Sequence, residues 1–129
     1  MSLLYDSNVF IYQLNGVLGE YGQSLLKQGI LKGAAFSVVT RIEVLGFNQS
    51  ADALLCAKRL FSALQQIELS SAIVERTIAL RQQRKIKIPD AIIAATALQL
   101  GFPLVTHNTS DFQWISDLIL IDPLAEPES

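Results

Sequence analysis

Short apolar segments alternate with longer segments of helical periodicity along this sequence, and the alternation limits the folds that the chain can adopt. Segments that suit buried strands lie at residues 3–5, 34–39, 65–69, 103–106 and 118–121. Strands joined through one or two helices form a mostly parallel sheet, because each right-handed crossover places a helix on a face of the sheet. The sequence therefore predicts a three-layer α/β/α fold with a central, mostly parallel sheet of four to five strands.

Capping residues and helix breakers mark the expected helices. One helix follows the first strand directly, a second runs from residue 18 to 31, and Ser50 caps a long amphipathic helix. Thr40 and Glu43 have the spacing of a capping box, which predicts that a helix begins at Thr40. The last two helices are expected at residues 71–84 and 90–100, with Pro89 at the first helical position and Gly101 at the stop.

Composition indicates one ordinary domain with its own core. The chain has 129 residues, of which 50% are hydrophobic and 17% are charged. We expect residues 1–124 to form a single domain and residues 125–129 to be a frayed tail. Cys56 is the single cysteine and His107 the single histidine. A disulfide framework and a Cys/His zinc site are therefore excluded, because both need several such residues.

Neither a secretory signal nor a membrane-spanning segment is expected. Asp6 interrupts the first apolar run, and no basic residue precedes Lys27. The most apolar stretch, residues 91–105, is broken by polar residues, a glycine and a proline, and it is too short to cross a bilayer. We expect a cytoplasmic protein.

Charge is distributed unevenly, although the net charge is only −2. All ten basic residues lie between Lys27 and Lys87, and residues 76–87 hold five of them and no acid. This segment has two interpretations, a solvated helix face or a surface that binds a short stretch of phosphate backbone. Under the second interpretation, Arg84 and Lys85 are the candidate substrate-binding residues.

Four acidic residues lie close to expected strand ends. They are Asp6, Glu43, Asp90 and Asp111. Ligands of open parallel sheets gather outside the carboxyl ends of the strands, so we expect these side chains to converge. Each acid alone has a simpler explanation, since it could cap a helix or hold a turn. Together, clustered carboxylates repel one another unless they take up protons or share a cation.

The type of donor predicts the type of cation. Sites made of carboxylates favour hard ions such as Mg²⁺ or Mn²⁺ over zinc. Neutral polar residues near the same strand ends suit a supporting layer that orients a carboxylate or a water, although ordinary turns also use them. These residues are Asn8, Thr40, Thr106 and Asn108. Asp117 and Asp122 fit the geometry less well and are expected to be surface residues.

Several segments carry a family resemblance through their order and spacing. They are LYDSNVFI at positions 4–11, SVVTRIEVL at 37–45, PDAIIAATA at 89–97, GFPLVT at 101–106 and NTSDF at 108–112. Together they resemble the PIN-domain nucleases, and within them the VapC-like ribonuclease toxins of bacterial toxin-antitoxin pairs. The resemblance covers nearly the whole chain.

The resemblance implies a PIN-like fold and metal-dependent cleavage of single-stranded or looped RNA. It places the catalytic acids and metal ligands on the four residues that the topology selects, which are Asp6, Glu43, Asp90 and Asp111. Polar positions of the family fall on Asn8, Thr106 and Asn108, and His107 stands where relatives often have Arg. The resemblance also implies a homodimer and a cognate antitoxin protein that covers the acidic cleft.

Other functions fit the residues less well. A haloacid dehalogenase-like phosphatase needs a second aspartate where this chain has Asn8, and a receiver-like phosphoacceptor needs a lysine beyond Lys87. Two alternatives stay open. One is a PIN-domain nuclease of RNA processing or decay that has no antitoxin, and the other is a non-catalytic protein-binding module whose acids only cap helices.

Overall fold

The computed structural model describes residues 2–125, in which five short strands form one sheet. The strands are β1 Leu4–Tyr5, β2 Ala35–Ser37, β3 Gln65–Ile67, β4 Leu104–Val105 and β5 Leu120–Ile121. All neighbouring strands are parallel, in the order β3-β2-β1-β4-β5. The predicted α/β/α fold with a parallel sheet is confirmed. Of the predicted frayed tail, residues 126–129 lie outside the described residues.

The central position of β1 determines where a site can form. Leu4 of β1 pairs with Ala35 of β2 on one side and with Leu104 of β4 on the other. The chain adds β2 and β3 on the first side and then crosses over to add β4 and β5 on the second. Strand order therefore reverses between β1 and β4, and such a switch point opens a crevice at the carboxyl ends of the strands.

Seven helices among the described residues cover the sheet. They are α1 Ser7–Leu14, α2 Gly19–Lys32, α3 Val38–Leu45, α4 Ala51–Ser62, α5 Ser71–Gln83, α6 Ile88–Leu100 and α7 Thr109–Phe112. Ser50 caps α4 as predicted, through a hydrogen bond from the backbone N–H of Ala53 to its hydroxyl. Gly101 ends α6 in the left-handed conformation, with φ of 69°. The short helix α7 was not expected from the sequence.

The predicted capping box at Thr40 is wrong. The strand β2 ends at Ser37, and Ser37 caps α3 by accepting a hydrogen bond from the N–H of Val39. Thr40 is therefore inside the helix, and Glu43 bonds a side chain of another element instead of the Thr40 backbone. The apolar pair at positions 38 and 39 suited a strand as well as a helix, and the cap one turn earlier decided between them.

Alternate residues of the strands supply two apolar layers. On one face Tyr5 and Phe36 join Phe10 of α1 and Phe61 of α4, and the ring centroids of Phe36 and Phe61 are 4.6 Å apart. On the other face, the strand residues pack against α5, α6 and α7, with Ile93 fully buried. The period of two along each strand thus produces the predicted layers on both sides of the sheet. No helix within residues 2–125 is long and apolar enough to span a bilayer.

Gly29 allows α2 to approach β1 closely, which gives a test of the packing. A Cβ at this position would meet the Tyr5 hydroxyl, which donates a hydrogen bond to the Leu25 carbonyl at 2.7 Å, and the Cβ of Ala34. We expect Gly29→Ala to lower the free energy of unfolding by about 1–3 kcal/mol, because overpacking outweighs the better helix propensity of Ala. Urea unfolding measures this, with Ser24→Ala on the exposed side of α2 as control. An unchanged midpoint for Gly29→Ala would contradict the packing.

Candidate active site

A side-chain hydrogen bond joins the carboxyl ends of β1 and β4 at the switch point. Asp6 directly follows β1 and is 4% exposed, and Thr106 directly follows β4 and is fully buried. The Thr106 hydroxyl donates to Oδ2 of Asp6 at 2.8 Å, and the backbone N–H of Ser7 donates to Oδ1 at 2.7 Å. Asp6 therefore caps α1, as its simpler explanation proposed, and also connects the two central strands.

Ser7 connects the first acid to the second. Its hydroxyl donates to Oε1 of Glu43 at 2.6 Å and lies 3.1 Å from Oγ1 of Thr40. Since its backbone N–H bonds Asp6, this one residue contacts both acids and joins α1 to α3. Ser7 was not among the site residues predicted from the sequence. The available signal was its position directly after Asp6 in the segment LYDSNVFI.

Asp90 lies within electrostatic reach of the other three acids. It is half-buried in the first turn of α6, and Asp111 is exposed on α7. Desolvation by burial is the largest cause that raises the pKa of Asp90, followed by the charges of Glu43 and Asp111, while Lys87 lowers it. The charge of Asp90 in turn raises the pKa of Asp6. The fold thus groups the four predicted acids at one edge of the sheet.

The carboxyl group of Asp6 is strongly perturbed by its surroundings. Burial raises the pKa of Asp6 from 3.8 to about 6, and the charges of Asp90 and Glu43 act in the same direction. The hydrogen bonds from Thr106 and Ser7 oppose the rise, because they stabilise the ionised form. A buried carboxylate whose neighbours are also negative is a group that a cation would stabilise.

The donor set fits a hard divalent cation. All four side chains offer carboxylate oxygens, which are the ligands of Mg²⁺ and Mn²⁺, and no sulfur or imidazole is among them. Within residues 2–125, no three Asp, Glu, His or Cys side chains stand at the mutual spacing of a formed metal site. Like charges repel, so a bound cation would have to draw these carboxylates together.

The predicted helper residues contribute unequally. Thr40 and Thr106 bond Ser7 and Asp6 as described above. Asn108 takes part through its backbone N–H, which donates to the Thr106 hydroxyl at 3.1 Å. The side-chain oxygen and nitrogen of Asn8 are buried, and neither has a hydrogen-bond partner in the part of the chain that the structure describes. Asn8 therefore bonds none of the four acids.

His107 contacts residues outside the acidic group. Its Nδ1 lies 3.1 Å from Oδ1 of Asp122, and its ring meets Tyr12 edge-on with centroids 5.9 Å apart. Asp122 was expected on the surface but is half-buried beside this contact, whereas Asp117 is exposed as expected.

The basic segment adjoins the acids. Arg84, Lys85 and Lys87 are all exposed in the connection between α5 and α6. Lys87 is near enough to Asp90 to lower its pKa. The guanidinium carbon of Arg84 lies 5.1 Å from the ring centroid of Trp114, which was not among the predicted site residues.

The raised pKa of Asp6 predicts how stability depends on pH without metal. Because its folded pKa lies above the unfolded value, the native state holds this proton more tightly, and stability falls as the pH rises from about 4 through about 6. Asp6→Asn keeps a capping residue and removes the charge. We expect this variant to lose most of that pH dependence and to be more stable than wild type at pH 8 in EDTA, by at most about 3 kcal/mol. Urea unfolding from pH 4 to 8 measures both, and parallel profiles would contradict the assignment.

Comparisons with known proteins agree with this architecture. The PIN domain family model matches residues 3–117. Among curated proteins, none matches the sequence significantly. A chain of a toxin-antitoxin complex from Klebsiella pneumoniae is 33% identical with a TM-score of 0.74, and the match covers 95% of this chain and 98% of that one.

Two more distant solved structures share the fold. A chain of VapBC2 from Rickettsia felis, bound to a promoter DNA fragment, is 22% identical with a TM-score of 0.80, covering 94% of this chain and 98% of that one. A chain of DNA-bound VapBC from Salmonella typhimurium is 19% identical with a TM-score of 0.82, covering 95% and 98%. The family match spans most of the sequence and every element that carries one of the four acids. The chain belongs to the PIN domain family, whose members are nucleases.

Proposed function

We propose that this protein is a divalent-metal-dependent endoribonuclease that cleaves single-stranded or looped RNA, and that it is the toxin of a toxin-antitoxin pair. The observation that supports the activity best is the electrostatic grouping of four carboxylates around Asp90. They come from four separate places in the fold, the end of β1 and the helices α3, α6 and α7. Membership of a nuclease family supports phosphodiester cleavage as the reaction.

Helix capping alone accounts for one acid of the four. Asp6 accepts a hydrogen bond from a backbone N–H at the start of α1. Within residues 2–125, the carboxylate of Glu43 bonds only the Ser7 hydroxyl, and those of Asp90 and Asp111 accept no hydrogen bond. Lys87 offsets part of the charge of Asp90, but Glu43 and Asp111 repel Asp90, and this repulsion beside the buried Asp6 brings no benefit to a module that binds no cation. This comparison favours the nuclease over the binding module.

Each acid has a role in the proposal. Asp6, Glu43 and Asp90 hold the cation, directly or through water, and Asp111 binds a second ion or orients a water. Thr106 fixes the carboxylate plane of Asp6, and Ser7 fixes Glu43 relative to Asp6. Supporting hydrogen bonds of this kind restrict the orientation of ligands before the metal binds.

The residues available in the chain favour water as the nucleophile of the cleavage reaction. A bound Mg²⁺ or Mn²⁺ supplies a water nucleophile near neutral pH and offsets charge on the phosphate oxygens. Attack by the 2′-hydroxyl of RNA is served by a separate acid and base, commonly two histidines, whereas the chain has His107 alone. His107 contacts Asp122 and none of the four site acids, so it is not placed to act as a base there. This further supports water as the nucleophile.

A cognate antitoxin and a second copy of the chain complete the proposal, acting in the cytoplasm. The solved relative from Klebsiella pneumoniae is a toxin-antitoxin complex. In this chain, large apolar side chains are exposed on and beside α2 and on α4, including Leu31 at 79% and Leu55 at 48%. Exposed apolar groups of this size are suited to protein contacts. An adjacent small open reading frame whose product inhibits cleavage would distinguish the toxin from an RNA-processing PIN nuclease without an antitoxin.

The first test of the activity removes one charge at the centre of the acidic group. We expect Asp90→Asn to lower the rate of RNA cleavage in Mn²⁺ by at least about 100-fold, because the neutral amide weakens cation binding. Asp117→Asn is the matched control, since Asp117 is an exposed acid at φ of 68°, where Asn is tolerated. The measurement is cleavage of a labelled single-stranded RNA, with circular dichroism to verify folding. Full activity of folded Asp90→Asn would contradict the proposal.

The second test concerns the hydroxyl of Ser7. We expect Ser7→Ala to weaken Mn²⁺ binding by about 10-fold or more, because Glu43 loses the hydrogen bond that orients it. Ser7→Thr retains a hydroxyl and should preserve most of the affinity. Calorimetric titration with Mn²⁺ measures the effect without any RNA. Equal affinities for Ser7→Ala and wild type would show that Ser7 does not support the site.

A further inference from the structure

Arg84 contacts Trp114, and Trp114 in turn bonds the helix that carries Asp111. The guanidinium carbon of Arg84 lies 5.1 Å from the centroid of the indole ring, within the range of a cation–π contact. The indole N–H of Trp114 donates to the backbone carbonyl of Asp111 at 2.9 Å. The ring therefore joins the end of α5, where Arg84 stands, to the helix that carries one of the four acids.

The hydrogen-bond donors of Arg84 are uncommitted in the described part of the chain. Within residues 2–125 its guanidinium donates no hydrogen bond, and the ion pair found there joins His107 to Asp122. Arg76, on the same helix, differs because its Nε donates to the Gln99 side chain at 2.7 Å. A guanidinium held against a ring loses less freedom when an anion binds, so Arg84 is preorganised for an anionic ligand.

Phosphate of a nucleic acid is the anion that the surroundings favour. Arg84, Lys85 and Lys87 place three cations within four residues, and Lys87 is near enough to Asp90 to affect its pKa. A chain of phosphates crossing the acids would bring a flanking phosphate to this segment, and arginine binds phosphate through a planar pair of N–H groups.

We propose that Arg84 binds a backbone phosphate of the RNA that flanks the scissile phosphate, and that Trp114 is a positioning residue for Arg84. The inference rests on the proposed ribonuclease function and adds a substrate contact to it. Trp114 acts by holding the guanidinium against its ring and does not itself need to contact RNA.

The chain has a single tryptophan, so the fluorescence of the protein reports directly on the surroundings of Trp114 and Arg84. Wild-type protein is titrated in EDTA with a labelled single-stranded RNA of about 12 nucleotides, a length within the range that single-strand sites cover. We expect the change in Trp114 emission and the anisotropy of the RNA to give the same Kd. An emission that stays constant while the RNA binds would overturn the inference.

Substitution of Arg84 tests the phosphate contact. We expect Arg84→Ala to raise the Kd about 3- to 10-fold and to reduce the slope of log K against log salt by about 0.7, the value for one phosphate of a single strand. Arg84→Lys should restore the salt slope better than the affinity, because lysine lacks the planar pair of donors. Arg76→Ala is the matched control and should bind like wild type. A wild-type Kd and slope for Arg84→Ala would overturn the inference.

A double-mutant cycle tests the positioning role of Trp114. If the ring acts through Arg84, Trp114→Leu weakens binding, and the double variant binds no more weakly than Arg84→Ala alone. Independent losses that multiply would instead mean that Trp114 contacts RNA itself, and would overturn the positioning role. Trp114→Phe keeps an aromatic ring if Trp114→Leu fails to fold. The nuclease proposal fails separately, if wild-type protein with Mn²⁺ leaves RNA intact.

Discussion

The burial of the Asp6 carboxylate is the constraint on which the rest of the site depends. A charged group that is 4% exposed loses most of its hydration, and this loss raises its pKa to about 6. The group must therefore take up a proton, or hydrogen bonds or a cation must stabilise its charge. The Thr106 hydroxyl reaches Asp6 because β4 lies beside β1, and the Ser7 N–H reaches it because α1 begins at once. The site therefore depends on β4 lying beside β1 and on α1 beginning directly after Asp6.

Repulsion among the four acids lowers the free energy of unfolding that core packing provides. Asp90 repels Glu43 and Asp111, and burial of Asp6 adds a further cost. The tightly packed rings of Phe10, Phe36 and Phe61 belong to the core on one face of the same sheet. Proteins often tolerate such local conflict at functional sites, because the surrounding fold is stable enough to maintain it. The proposed cation binding would offset this repulsion.

Places at the ends of strands predicted that the four acids lie together, and their role as metal ligands stays a prediction. Sequence patterns predicted the layers and the strands, because buried strands and amphipathic helices leave periodic signals. They predicted the boundary of α3 incorrectly, since the apolar pair before Thr40 suits either structure and the decisive cap, Ser37, is only one of several serines. The signal for Ser7 was its position directly after Asp6, and Trp114 gave none. Their roles depend on contacts with Glu43, at a separation of 36 residues, and with Arg84, at a distance that only the folded chain defines.

Anomalous scattering from Mn²⁺ soaked into crystals of the protein at neutral pH tests the central claim most directly, because it locates the ion without reference to activity. The account predicts a peak within coordination distance of carboxylate oxygens from both Asp6 and Asp90, which is lost in crystals of Asp90→Asn. Saturating Mn²⁺ that leaves no peak at these carboxylates, or that binds only elsewhere on the surface, would contradict it.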